Sequence, residues 1–344
     1  MDLVTLWFWL IALTFTLYFF LEGFDFGVDI LRPTLARTDA EERALTGTIG
    51  PFWDGNEVWV IAAAGVMFST FPVWYGAVFS GLYPLFVLIL LALLLRGVSF
   101  EYRNQVDSDR WRAFWDWMSF GGSLVPAFLW GVIMAKLIEG LPVGRDGDVQ
   151  GGLGEAFTAF SLVGGVTTLL LFMLHGANFL LLRLHTDTVL YKRARTAALR
   201  WGALATAAIV TFVVMGYVTE DLFEDFGVVP WAFPIAAFLT LASIWLALVR
   251  RRDTLAFTMS GLTILFATVT VFIALYTRGE VLPSTLRPEY GLTLRESASQ
   301  QYTLVLMTWV GAIFLPLIIG YQIWNYYVFR ERVRPDEGAL SSGY

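Results

Sequence analysis

The sequence contains no cysteine, only two histidines (His175 and His185) and only two lysines (Lys136 and Lys192). Without cysteine there is no disulfide, no thiolate haem ligand and no cysteine-held iron–sulfur cluster. Two histidines are too few for several haems, so chemistry of that kind would have to sit mainly on a partner chain. His175 lies in an apolar segment, where it either ligates a haem or hydrogen-bonds a neighbouring helix. His185 lies in a polar loop. Charged residues make up 15% of the 344, the net charge is −6, and nothing forms the basic surface that nucleic acid requires. No HExxH, Walker, zinc-ligand or G-x-S-x-G pattern occurs.

What is abundant is apolar sequence: 57% of residues are hydrophobic and the mean hydropathy is +0.65. About 20 apolar residues cross the roughly 30 Å of bilayer hydrocarbon. Nine segments qualify, near residues 6–30, 51–70, 75–95, 115–138, 156–182, 201–218, 231–249, 255–276 and 302–329. The second opens on polar residues. The first has no positive n-region and no small-residue cleavage site after it, so it reads as a retained span. The fold class is therefore an all-α polytopic membrane protein. Pro84, Pro126 and Pro316 are expected to kink spans, and Gly121, Gly122, Gly164 and Gly165 to let helices approach closely.

Lysine and arginine set the orientation. With the first loop placed inside, 18 of the 23 basic residues fall on the inner side, among them Arg32, Arg37, Arg43, Arg96, Arg103, Arg183, Lys192, Arg250 and Arg330. The loop 219–230 is acidic and holds no basic residue, as expected of an outer face. The N-terminus is then outside and the C-terminus inside a bacterial plasma membrane, with a short polar tail.

Ionisable residues within spans are costly and mark functional or paired sites. Glu22, Asp25 and Asp29 recur at intervals of three and four, sharing one face of the first helix. Asp54 and Glu57 share a face of the second. Arg96 closes the third span, with Glu101 just beyond, and Asp116 opens the fourth. This orientation puts Glu22, Asp25, Asp29, Asp54, Glu57, Arg96 and Asp116 in the inner half of the first four spans. Glu22 lies roughly 12 Å from the inner end at 1.5 Å per residue. The pattern is a polar inlet that goes part of the way across. Two readings stand side by side. In the structural one, Arg96 pairs with Asp25 or Asp116 to lock helices, and Asp54 caps its helix. In the functional one, the carboxylates serve the inlet.

The stretch Leu21-Glu22-Gly23-Phe24-Asp25-Phe26-Gly27 resembles the first-helix signature of subunit II of cytochrome bd-type quinol oxidases. Residues 50–59, Gly-Pro-Phe-Trp-Asp-Gly-Asn-Glu-Val-Trp, are similar to that family's most distinctive motif. Phe79–Tyr83, Arg96–Arg103, Trp115–Trp117, Ser299–Leu304 and Met307–Trp309 match in order and spacing, so the resemblance covers nearly the whole chain. Glu22 and Glu101 stand where other members can carry aspartate, which keeps the charge and changes the reach.

The resemblance implies two four-helix bundles plus a ninth helix: residues 1–138 as the first bundle with the inlet, 139–276 as the second, 277–329 as outer loop and ninth helix, and 330–344 as cytoplasmic tail. It implies a heterodimer with a subunit I carrying two b-type haems and one d-type haem, with room for a small single-span third subunit. The pair oxidises membrane quinol and reduces oxygen to water. For site residues it implies proton transfer at Asp54, with Glu57 and Glu22 alongside. It also implies a pocket lined by Asp25, Arg96, Asp116 and Trp53 that holds a quinone or a structural lipid in some members. The alternative function class is a proton-coupled carrier. A carrier exposes its polar site to each side in turn, whereas the polar residues here lie on one side only.

Overall fold

The computed structural model describes residues 2–220, 223, 227 and 230–335. Most of the acidic loop 219–230 and the end of the tail, from residue 336, lie outside the described residues. Apart from a short antiparallel pairing of β1 (Glu280–Leu282) with β2 (Leu292–Thr293), the chain is helical. The helices are α1 (Leu3–Leu35), α2 (Asp39–Ile49), α3 (Trp53–Thr70), α4 (Pro72–Gly81), α5 (Tyr83–Tyr102), α6 (Asp109–Glu139), α7 (Ala159–Arg183), α8 (Val189–Thr219), α9 (Ala232–Val249), α10 (Asp253–Arg278) and α11 (Gln301–Val328).

Among the described residues eight helices are long and apolar enough to cross a membrane: α1 and α5 to α11. The expected second span is α3, whose first turns carry Asp54, Asn56 and Glu57 and dilute its hydropathy. It still runs beside α11 from end to end. Asn325 Nδ2 donates to the Pro51 carbonyl (3.1 Å) at one end, and the Ser299 amide donates to the Thr70 carbonyl (2.8 Å) at the other. The expected third span, 75–95, is two helices instead of one. The break falls at Leu82 because Pro84 brings no N–H and suits only the first turn of α5. Pro126 and Pro316 do lie inside helices, in α6 and α11. The first helix runs five residues past its expected end, through Pro33 to Leu35. The short helix α2 had no long apolar run to announce it; Thr38 starts it by accepting a hydrogen bond from the Glu41 amide (3.3 Å).

At the centre lies α1, packed against α3, α6, α7 and α10 and buried along most of its length. Its contact with α7 is backbone on backbone. A methyl group on Gly27 would sit 2.0 Å from the Phe172 carbonyl oxygen, and one on Gly176 would sit 2.5 Å from the Gly27 carbonyl carbon. Small residues allow this approach in lipid, where packing has to replace the hydrophobic drive. Gly122 does the same for α5 and α6, lying against the Ala92 carbonyl and the base of Arg96, and Gly164 and Gly165 also pack closely; Gly121 faces open space. Gly27→Ala is therefore expected to destabilise the protein by roughly 1–3 kcal/mol, the usual cost of overpacking. Gly121→Ala should be silent. Thermal unfolding of the two purified variants in detergent checks the contrast, and equal melting temperatures would contradict it.

The two ends of the bundle differ in charge. At the arginine-rich end, Arg193 binds the Leu35 carbonyl and Glu41, Arg183 binds the Phe329 carbonyl, and Arg195 binds the Leu248 carbonyl. At the opposite end Arg295 reaches Asp2 (2.6 Å), and residues 141–143 pair with Ser284 and Val149. Asp2 also accepts from the Thr5 amide at the start of α1 (2.8 Å), chiefly by which its carboxyl is held down at about 2.

Candidate functional site

Four helices converge on Arg96, which is wholly buried. Its guanidinium binds Glu22 of α1, donates from Nε to Asp29 Oδ2 of α1 (3.1 Å), and reaches Glu57 Oε2 of α3 (3.4 Å). Ser123 of α6 donates to the same Asp29 oxygen (3.1 Å). The rings of Phe26 and Phe100 lie 5.1 and 5.4 Å from the guanidinium carbon. Thus three carboxylates share one cation. Isolated burial of that cation would be prohibitive; its partners and the aromatic faces make it tolerable. Of the two expected partners, neither Asp25 nor Asp116 forms an ion pair with Arg96 among the described residues. Glu22 and Asp29 are seven residues apart and so lie on one stripe of α1, which takes the cation. Asp25 is turned towards α3, where Asn56 Nδ2 donates to its Oδ2 (2.6 Å).

Asp116 belongs to a second layer nearer the arginine-rich end. It pairs with Arg32 (2.9 Å) and with Arg103 (2.7 Å). Arg103 also reaches Asp39 (3.1 Å), which pairs with Arg43 (2.9 Å) at the surface. Arg32 Nε approaches Asp29 Oδ1 at 3.7 Å, so Asp29 joins the two layers. The result is an unbroken series: Arg43, Asp39, Arg103, Asp116, Arg32, Asp29, Arg96, and then Glu22 and Glu57. Its first carboxylate, Asp39, is 44% exposed, and its last, Glu22, is wholly buried. Beside it Glu42 on α2 faces Arg32 at 3.6 Å, and burial pushes its carboxyl above the usual range. With α1 extending to Leu35, Glu22 lies roughly 20 Å from the end of its helix, deeper than the sequence suggested.

The remaining expected residues fall around this series. Asp54 is exposed on the side of α3, with no hydrogen bond or ion pair among the described residues. It does not cap α3, whose N-cap is Phe52 without a side-chain bond. Asp54, Val58, Ile61, Gly65 and Phe68 form one exposed stripe along α3. Glu57, one turn on, is 22% exposed and touches both that flank and Arg96. Trp53 stacks on Phe100 (centroids 4.9 Å apart) and so covers Arg96 from outside. Asp25 and Arg96 lie in the deep layer and Asp116 in the shallow one, so the expected pocket residues are split between two levels. His175 is buried, with Nδ1 2.7 Å from Ser260 Oγ, Nε2 3.1 Å from the Phe20 carbonyl and its ring stacked on Phe257. A carbonyl only accepts, so Nε2 carries the proton. Both ring nitrogens are used in helix packing.

Several members of the site were not weighed from sequence. Arg32 counted only towards orientation, and Arg103 towards orientation and the 96–103 motif, yet both are buried hubs. Asn56 lies inside the 50–59 motif, and its amide is as costly to bury as a charge is conspicuous. Gln322 and Tyr326 of α11 bind Asn56 (2.7 and 2.8 Å); two polar residues one turn apart in an apolar span were the available signal.

The model of the family "Cytochrome bd terminal oxidase subunit II" matches residues 3–329. The chain is 40% identical over 338 residues to cytochrome bd ubiquinol oxidase subunit 2 of Bacillus subtilis (strain 168), covering 98% of each chain. It is 31% identical over 366 residues to cytochrome bd-I ubiquinol oxidase subunit 2 of Escherichia coli (strain K12), covering 96% of this chain and 95% of that one. A solved bd oxidase from Geobacillus thermodenitrificans shares the fold at a TM-score of 0.73 and 17% identity, covering 95% of this chain and 99% of that one.

Proposed function

The chain belongs to the cytochrome bd terminal oxidase subunit II family, and on that premise we propose that its buried ion series takes up the protons consumed when oxygen is reduced to water. As a member it is a multi-pass protein of the bacterial plasma membrane and a subunit of a quinol-oxidising terminal oxidase, working with subunit I. The haems belong to that partner. Membrane quinol supplies the electrons, and the arginine-rich end faces the cytoplasm by the positive-inside rule.

The observation that supports the reading is the unbroken series from exposed Asp39 to buried Glu22 and half-buried Glu57. Arginine does not release its proton at working pH. The guanidinium groups therefore hold the carboxylates in place, and protons pass between carboxylates and water. Glu22 Oε2 and Asp25 Oδ1 are buried without a hydrogen-bond partner, which leaves each with a free lone pair for that transfer. Glu57 sits where the series reaches the bare flank of α3, and we assign that flank to subunit I. The reading keeps the first four spans as the proton-handling bundle and the next four as its scaffold. Of the expected pocket residues, Arg96 and Trp53 then serve chiefly as architecture, with a quinone or lipid as a further occupant beside Trp53.

Glu57→Gln tests the route. Gln keeps the shape and cannot titrate. The assembled complex with full haem content is expected to consume oxygen at least about tenfold more slowly, a barrier increase of about 1.4 kcal/mol. Proton uptake should slow in proportion. Normal turnover in the assembled variant would remove Glu57 from the path.

A further inference from the structure

We infer that α11 is a positioning element of the proton path: Gln322 and Tyr326 together lock the Asn56 amide, and the locked amide fixes the carboxylate of Asp25. The inference rests on the proton-uptake reading above for its functional consequence, and on geometry alone for the lock.

An asparagine side chain can turn over, exchanging a donor for an acceptor. Here its orientation is decided by its neighbours. Gln322 Nε2 donates to Asn56 Oδ1 at 2.7 Å, and Tyr326 OH donates to the same oxygen at 2.8 Å. Both lone pairs of the oxygen are thereby used, and the nitrogen must face Asp25, which it meets at 2.6 Å. Turning the amide over would set its oxygen against the Asp25 carboxylate, and would oblige the Gln322 amide to turn over and the Tyr326 hydroxyl to accept instead of donate. Tyr326 is itself held by a parallel stack on Phe52, with ring centroids 4.3 Å apart and planes at 3°. Asn325 ties the same turn of α11 to the Pro51 carbonyl. Elsewhere α11 is mostly exposed: Gln322 and Leu304 are its buried residues. Its polar contacts near the arginine-rich end are therefore concentrated on the turn that reaches Asn56.

Gln322 or Tyr326 alone, together with the Asp25 carboxylate, still favours the orientation seen, so the lock predicts non-additivity. Tyr326→Phe keeps the stack on Phe52, and Gln322→Met keeps the volume. Each alone should change turnover by less than about twofold, and the two together by at least about fivefold, with haem content unchanged. The readout specific to the lock is infrared difference spectroscopy of the assembled complex. The carboxyl signal of Asp25 is identified by its loss in Asp25→Asn, and it should shift in the double variant and stay in place in either single variant. A shifted signal with normal turnover would keep the lock and refute the path through Asp25. An unshifted signal in the double variant would overturn the lock. Should the double variant not assemble, Gln322→Glu serves: a carboxylate there accepts from the Asn56 amide instead of donating to it, and should shift the Asp25 signal on its own. No shift in that variant overturns the lock equally.

Discussion

Replacing Arg96 with alanine is expected to remove most of the assembled protein. The side chain is wholly buried and holds Glu22, Asp29 and Glu57 in one place. Removing one side of a buried ion pair leaves uncompensated charge and costs roughly 3–5 kcal/mol. That is a large part of the stability of an ordinary domain, about 5–15 kcal/mol. Here three carboxylates lose their common cation at once. The rescue pattern is specific. Arg96→Gln combined with Glu22→Gln should restore part of the assembly, because it removes a charge from each side of the pair. Arg96→Gln combined with Asp25→Asn should restore less, since Asp25 is held by Asn56 and not by Arg96. Blue-native gels and haem content of membranes from the four strains read this directly. Equal rescue by both combinations would mean that Arg96 acts as a diffuse counter-charge and not through its geometry.

Much of this was legible in the sequence, for reasons that can be named. Long apolar runs announce helices by length alone, and eight of the expected spans correspond to helices that qualify as membrane-crossing. The intervals from Glu22 to Asp25 to Asp29 place all three on one side of α1, because helix periodicity is local. Which of the three meets Arg96 is decided by where α3 and α6 approach. Those approaches depend on contacts between residues of different helices, Gly122 of α6 lying against Arg96 of α5 and Asn56 of α3 meeting Asp25 of α1. The break at Leu82 is a matter of one proline's position within an otherwise continuous apolar run. Asn56 was hidden for a different reason. Amides carry no charge, so a search for ionisable residues within spans passes over them, yet they need partners as carboxylates do. The partners of Asn56 lie some 270 residues further on, in α11.

Asp54→Asn carries the sharpest functional expectation, because the structure separates Asp54 from the series that ends at Glu57. Asp54 has no ion pair among the described residues and lies on the exposed stripe of α3 with Val58, Ile61, Gly65 and Phe68. A carboxylate left on an apolar flank is costly once a partner subunit covers it, unless it does something there. We take its task to be receipt of the proton from Glu57, three residues away on the same side of α3, and delivery into subunit I. Asparagine fits the same space and cannot titrate. Since no capping bond is lost, helix α3 should be unaffected. The assembled variant, with normal haem content, should turn over at least tenfold more slowly, and by the lower end of the range for losing a proton-transfer group about a hundredfold. Joined with Glu57→Gln, it should add little further loss, because two stations on one route fail together. Oxygen consumption and proton uptake by the purified single and double variants check both points. Independent, multiplying losses would place Asp54 and Glu57 on separate routes. Unchanged turnover in Asp54→Asn would leave the α3 flank as an interface and return proton delivery to Glu22, Asp25 or the partner.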